Sequence, residues 1–258
     1  MNQTALHLPD REVKPRTRGL TMMIDGGFPL HYFEDVVSTW CQYIDFVKFG
    51  WGTAIVSDDL SQKVEILQCH GVDHYFGGTL FEKHILQDRL EDFQILCRKY
   101  DCHFIEVSNG TIDLSNTEKA AYIRKLSDEF RVISEVGFKD ADRSEDLSPE
   151  RWVECIDEDL SAGASLVTLE SRESGRSGIC HANGQLRYDL IDELLAHEQF
   201  RDHLLFEAPT TTMQSFFIKR LGPDVNLGNI AATDAAGLET LRLGLRADTL
   251  MSFEPAVP

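Results

Sequence analysis

Eight short apolar runs constrain this chain more than any other feature. They fall at 19–25, 43–50, 72–78, 103–110, 131–137, 165–171, 204–209 and 225–230, with a helical pattern in each gap. Runs this apolar on both faces suit parallel strands covered by helices. Punctuation agrees: Ser115 with Glu118 forms a capping box, and Ser148-Pro149 reads as an N-cap with Pro at the first helical position. Gly163 is the matching stop, and Leu238, Leu241 and Leu245 repeat at helical spacing. The series predicts an α/β fold, a single (β/α)8 barrel of the TIM type over 19–250. A polar arm, 1–18, precedes it and a short tail, 251–258, follows. The competing doubly wound sheet lacks a G-x-G-x-x-G after the first run.

The runs end in charge. Asp25, Lys48, Glu106 with Ser108 and Asn109, Glu135 with Lys139, Glu170 with Arg172 and Glu173, Glu207, and Asn226 with Asn229 all fall late in a run or just after it; Glu82 follows the third. In such a barrel the active site lies at the C-terminal ends of the strands, so these side chains converge on one rim. Buried acids repel one another unless a cation joins them. The functional reading is a Mg²⁺ site held by two or three carboxylates, with Lys and Arg for an anionic substrate. The structural alternative pairs the acids with Lys48, Lys139 and Arg172 or leaves them in solvent.

Two loops suit phosphate. ESRESGRSG (170–178) offers Arg172, Ser174, Gly175 and Arg176, with guanidinium forks and free backbone amides. NLGNI offers Asn226, Gly228 and Asn229 after the eighth strand, where these barrels often hold phosphate. GWGT (50–53) and GGTLFE (77–82) are weaker, glycine-rich signals. Cys69, His70 and His74 lie before the third strand and read as a surface loop. Arg242 and Arg246 read as salt-bridge partners of Glu239 or Asp248.

Composition bounds the function. The net charge of −18 repels nucleic acid and anionic membrane, so neither is an expected partner. No apolar run approaches bilayer length, the first residues lack a signal-peptide core, and the six cysteines form no C-x-x-C pair. A cytoplasmic protein with free thiols is expected, and a homo-oligomer is compatible with the sequence.

The ordered series KPRTRGLTMMID, YIDFVKFGWGT, GGTLFE, IEVSNGT, SEVGFK, ESRESG, FEAP, VNLGNI and LETLRLGLRADT resembles the phosphosulfolactate synthase family over nearly the whole chain. The resemblance implies a Mg²⁺-dependent lyase that adds sulfite to C3 of phosphoenolpyruvate, giving (2R)-phospho-3-sulfolactate, a step toward coenzyme M or sulfolactate. It implies Glu106, Glu135 and Glu170 as metal ligands and Lys48, Arg172 and Arg176 as anion binders. Lys139 is then the acid that protonates C2, with a pKa lowered toward neutrality. Gly26 and Phe138 stand where the family pattern carries Lys. The rivals are a barrel acting on another phosphorylated carboxylate or carbonyl, including a Schiff base at Lys139, and a non-catalytic stress-related barrel.

Overall fold

Each of the eight runs contains a strand in the computed structural model, which describes residues 5–172 and 174–253. The strands are β1 (Thr21–Asp25), β2 (Phe46–Phe49), β3 (Asp73–Phe76), β4 (Phe104–Val107), β5 (Arg131–Val136), β6 (Ala164–Leu169), β7 (Leu204–Glu207) and β8 (Leu227–Ile230). All paired neighbours are parallel, in the order β3-β2-β1-β8-β7-β6-β5-β4. This is the (β/α)8 barrel expected. Among the described residues no ladder pair joins β3 to β4, although the two strands are in contact there. Side chains stitch that seam instead. His103 Nδ1 lies 2.9 Å from Asp73 Oδ1 below it, and above it the Gly78 N–H donates to Glu106.

The predicted caps form. Ser115 and Glu118 cap the helix Asn116–Ser127 reciprocally, and Ser148 accepts from the Arg151 N–H ahead of the helix Pro149–Ser161. Leu245 falls beyond the last helix, Ala235–Arg242, and is exposed.

Strand periodicity decides what fills the bore, because alternate side chains point inward. Met22, Phe46, Tyr75, Phe104, Ile133, Leu166 and Leu205 form one packed apolar layer. Two residues further along β2, β4, β5 and β7, the inward positions are Lys48, Glu106, Glu135 and Glu207. The bore therefore changes from dry to charged in one step.

Gly228 belongs to the dry layer. A Cβ there would stand 2.4 Å from Leu205 Cδ2 and 2.8 Å from Met22 Cε, so close packing requires glycine. This corrects the expectation that Gly228 binds substrate. Asn226 is corrected too. Its Oδ1 accepts from the Leu20 N–H at 3.0 Å and its Nδ2 donates to the Leu204 carbonyl at 3.0 Å, tying strand starts together at the end of the barrel away from the rim.

The arm, as far as it is described, closes that lower end. Arg11 is buried and pairs with Asp224 at 2.8 Å and Glu239 at 3.1 Å, while Arg16 pairs with Asp45 at 2.9 Å. Arg242 therefore does not take Glu239, as its spacing suggested. It is wholly buried and donates to the carbonyls of Val225 and Leu20. Arg246 lies 4.0 Å from Asp248. His74 is a buried strand residue whose Nε2 meets the Tyr100 carbonyl at 2.9 Å, while Cys69 and His70 are exposed. No helix among the described residues is long and apolar enough to cross a membrane.

Gly228→Ala should lose about 1–3 kcal/mol in urea denaturation through overpacking. The KM of any substrate should stay within twofold of wild type, since the added methyl faces Leu205 and Met22 and not the rim.

Candidate active site

A cavity of about 440 Å³ opens at the C-terminal ends of the strands. Its walls include Lys48, Glu135, Lys139, Glu170, Arg172, Glu207 and Asn229. Lys48 Nζ sits 3.1 Å from Glu106, 3.3 Å from Glu135 and 3.5 Å from Glu207. Lys139 Nζ sits 2.7 Å from the other oxygen of Glu135 and 3.1 Å from Glu170. Residues from β2, β4, β5 and β7, with Glu170 directly after β6, thus form one continuous ionic cluster.

Charge count and burial set its electrostatics. The four glutamates are at most 2% exposed, and only two ammonium groups face them. With every group ionised, two negative charges are uncompensated. Burial favours the neutral acid at each glutamate, and neighbouring charges decide the outcome. At Glu135 burial is overcome by Lys139 and Lys48, which hold its carboxyl below the ordinary range. At Glu106 burial outweighs Lys48, and repulsion from Glu135 adds to it, so its pKa is pushed up to about 7. At Glu170 burial, Glu207 and Glu135 together raise the pKa well above the usual value despite Lys139.

The lysines behave in the opposite way. Burial favours their neutral form, but the carboxylates more than offset it, and both pKa values rise. This corrects the expectation of a Lys139 tuned down toward neutrality. Its Nζ lies between two carboxylates, and attraction to them exceeds the cost of desolvation.

Backbone amides complete the cluster. Ser171 N–H and Arg172 N–H donate to Glu207 Oε2 at 2.9 and 3.1 Å, and Arg172 N–H also reaches Glu170 Oε1 at 2.6 Å. Arg172 has a left-handed backbone, φ 57°, which turns its amide inward while the exposed side chain reaches the Lys139 carbonyl at 3.3 Å. Ser108 Oγ lies 2.9 Å from Glu82 and 3.0 Å from Glu135. Asn229, φ 54°, lines the cavity with a buried Oδ1 that has no hydrogen-bond partner.

Other predicted residues lie apart. Ser174 and Arg176 are exposed on the loop after β6 and do not line the cavity, and Gly175 packs near Met213. Glu173 lies outside the described residues. Asp25 is consumed structurally, accepting from the Gly27 and Phe28 N–H groups and pairing with Lys63 at 2.8 Å. Glu82 likewise accepts from Thr111 N–H and Ser108. Sequence reasoning left Trp51, Thr79, Thr111 and Asp140 out of the site, although all four line the cavity. The glycines of GWGT and GGTLFE were the available signal for the first two.

Among the described residues no three His, Cys, Asp or Glu side chains stand ready to hold a metal ion. Lys48 occupies the point its three carboxylates share. The donor set nevertheless fits a hard divalent cation: it is all oxygen, the four carboxylates outnumber the two ammonium groups, and Glu106 Oε1 is held by Lys48 alone at 3.1 Å. Mg²⁺ often takes one or two carboxylates and keeps waters and substrate oxygens for the rest.

Residues 9–248 match the family model described as (2R)-phospho-3-sulfolactate synthase (ComA). A protein of Bacillus subtilis named phosphosulfolactate synthase is 49% identical, over 96% of this chain and 99% of its own length. One of the same name from Methanothermobacter thermautotrophicus is 41% identical over 97% and 98%. Among solved structures, 3-hexulose-6-phosphate synthase from Salmonella typhimurium shares the fold with a TM-score of 0.54 at 15% identity, covering 88% of this chain and all of that one.

Glu106 yields a pH-dependent prediction. Its folded value of about 7 exceeds the ordinary 4.5, so the folded state holds the extra proton between these values. Stability therefore falls as pH rises through that window, by up to about 3 kcal/mol, and the loss is complete above it. In EDTA, Glu106→Gln should match wild-type Tm near pH 5 and exceed it by several degrees at pH 8. A variant equally destabilised at both values would contradict this charge assignment.

Proposed function

This chain belongs to the (2R)-phospho-3-sulfolactate synthase family, and from that premise we propose that it joins sulfite to phosphoenolpyruvate with Mg²⁺ as cofactor. The observation that carries the reading is the cavity's charge. Glu106 and Glu170 resist ionisation while only two ammonium groups face four carboxyls, and a divalent cation bound with a phosphorylated carboxylate would let all four ionise. Glu106 and Glu170 are the acids whose burial outweighs their lysine partners, so they gain most from such an ion. Glu135, already shared between two ammonium groups, is the third candidate ligand. Bound there, Mg²⁺ would supply Lewis-acid neutralisation of the charge that builds on the substrate carboxylate.

The chain's own residues account for the rest. Sulfite is a sufficient nucleophile by itself. Its sulfur forms a bond to C3, the C2–C3 π pair moves onto C2 and the carboxylate, and C2 then takes a proton. Lys139 is the donor we assign. Its side chain is 23% exposed against 8% for Lys48, so it reaches the opening, and its carboxylate neighbours keep it fully protonated at neutral pH. After transfer it regains a proton from water at the rim. Lys48, enclosed by three carboxylates, acts as fixed positive charge. Arg172 at the cavity edge is positioned to grip phosphate or sulfite oxygens. The same charge state argues against a Schiff base at Lys139, which requires the neutral amine.

The test mixes purified protein with phosphoenolpyruvate, sulfite and Mg²⁺ and follows loss of the enol absorbance. Turnover should require all three and should stop in EDTA and return with Mg²⁺. Lys139→Met should lower kcat about 10²–10⁴-fold, the usual contribution of a positioned general acid. No consumption at any enzyme concentration would overturn the reading, and borohydride trapping on Lys139 would favour imine chemistry instead.

A further inference from the structure

Among the described residues that line the charged cavity Trp51 is the one aromatic side chain, and its backbone is strained to put it there. It has φ 50° and ψ 13°, a left-handed conformation that bulky L residues avoid. Glycines flank it, and Gly52 is itself left-handed at φ 85°. The indole is half exposed, at 50%. The other two tryptophans are settled: Trp40 stacks on Tyr43 and Trp152 is wholly buried. Among the described residues Trp51 has no comparable ring partner.

Its surroundings are cut to fit. A Cβ on Gly26 would stand 2.9 Å from Trp51 Cζ3 and 3.1 Å from Cη2, so the ring lies directly over Gly26 and a side chain there would displace it. Trp51 follows β2 and Arg172 follows β6, four places apart in the eight-strand order. The two therefore face each other across the mouth that both line. An anion gripped by Arg172 and Lys139 would have the indole as its opposite wall. Strain, exposure and a cleared approach at one residue point to a contact completed by ligand.

We propose that Trp51 contacts substrate directly: its indole closes on the planar enolpyruvate face of bound phosphoenolpyruvate and shields C2 from bulk water. This rests on the reading of phosphoenolpyruvate as substrate. The wall also sets specificity. Its part in specificity is to favour a substrate with a flat unsaturated face over a saturated one.

The experiment titrates the full-length protein with phosphoenolpyruvate in the presence of Mg²⁺, following tryptophan emission and calorimetric heat in parallel. Emission should shift to the blue as the half-exposed indole is covered, with the same Kd as the heat, and the shift should vanish in Trp51→Phe. Trp51→Gly, which suits the backbone conformation, should keep Tm within a few degrees of wild type yet raise KM for phosphoenolpyruvate at least tenfold. Gly26→Ala, which pushes on the ring, should raise it in the same direction. Calorimetric binding with silent emission, a shift that survives in Trp51→Phe, or a wild-type KM in Trp51→Gly would each overturn the proposal. An emission shift that follows protein concentration without ligand would mean that a second copy covers the indole, and would overturn it as well. Absence of any binding heat would instead overturn the substrate assignment beneath it.

Discussion

One carboxylate organises this molecule's functional end. Glu135 gives one oxygen to Lys48 at 3.3 Å and the other to Lys139 at 2.7 Å, with Ser108 also in reach. Both lysines then reach outward, Lys48 to Glu106 and Glu207 and Lys139 to Glu170. Remove that shared centre and one buried and one half-buried ammonium group and three buried acids lose their common reference. The β5 backbone beneath it is itself anchored. Lys119, fully buried on the helix Asn116–Ser127, donates to the Glu135 carbonyl at 3.0 Å and pairs with Asp159 at 2.7 Å.

The acids at the rim also hold the barrel shut. Where β3 and β4 lack ladder hydrogen bonds, Glu106 accepts from the Gly78 amide and Glu82 accepts from Ser108 and Thr111. Closure of the sheet and assembly of the site thus share side chains. Such sharing is costly in the metal-free state, because desolvated acids close together resist ionisation. A molecule that gained nothing from these acids would be more stable with apolar groups in their places.

Much of this was legible in the sequence, for physical reasons. Eight apolar runs with helical spacers admit few folds, and strand alternation sends a late Glu or Lys into the bore. The convergence of Lys48, Glu106 and Glu135 follows from that alternation, and Lys139 and Glu170 join them from the loops just past β5 and β6. What the rule could not settle was which polar groups are already used. Asp25 ends its strand much as Glu106 does and Glu82 follows its strand within a helix, yet they serve a turn and a seam, because Lys63 and the Ser108 turn lie beside them. Asn226 directly precedes β8 and Asn229 lies near its end, which places them at opposite ends of the barrel. Lys139 illustrates a further limit: the sign of a pKa shift depends on neighbours brought from other strands, and its neighbours turned out to be acids.

The central claim of the proposal is that four buried carboxyls facing two ammonium groups at this rim take up a divalent cation together with an anionic substrate. Counting bound Mn²⁺ by electron paramagnetic resonance in the presence of phosphoenolpyruvate tests it most directly. The account predicts one Mn²⁺ per chain, displaced by Mg²⁺ and lost in Glu170→Gln. No bound Mn²⁺, or one unaffected by replacing any of Glu106, Glu135 and Glu170, would contradict it.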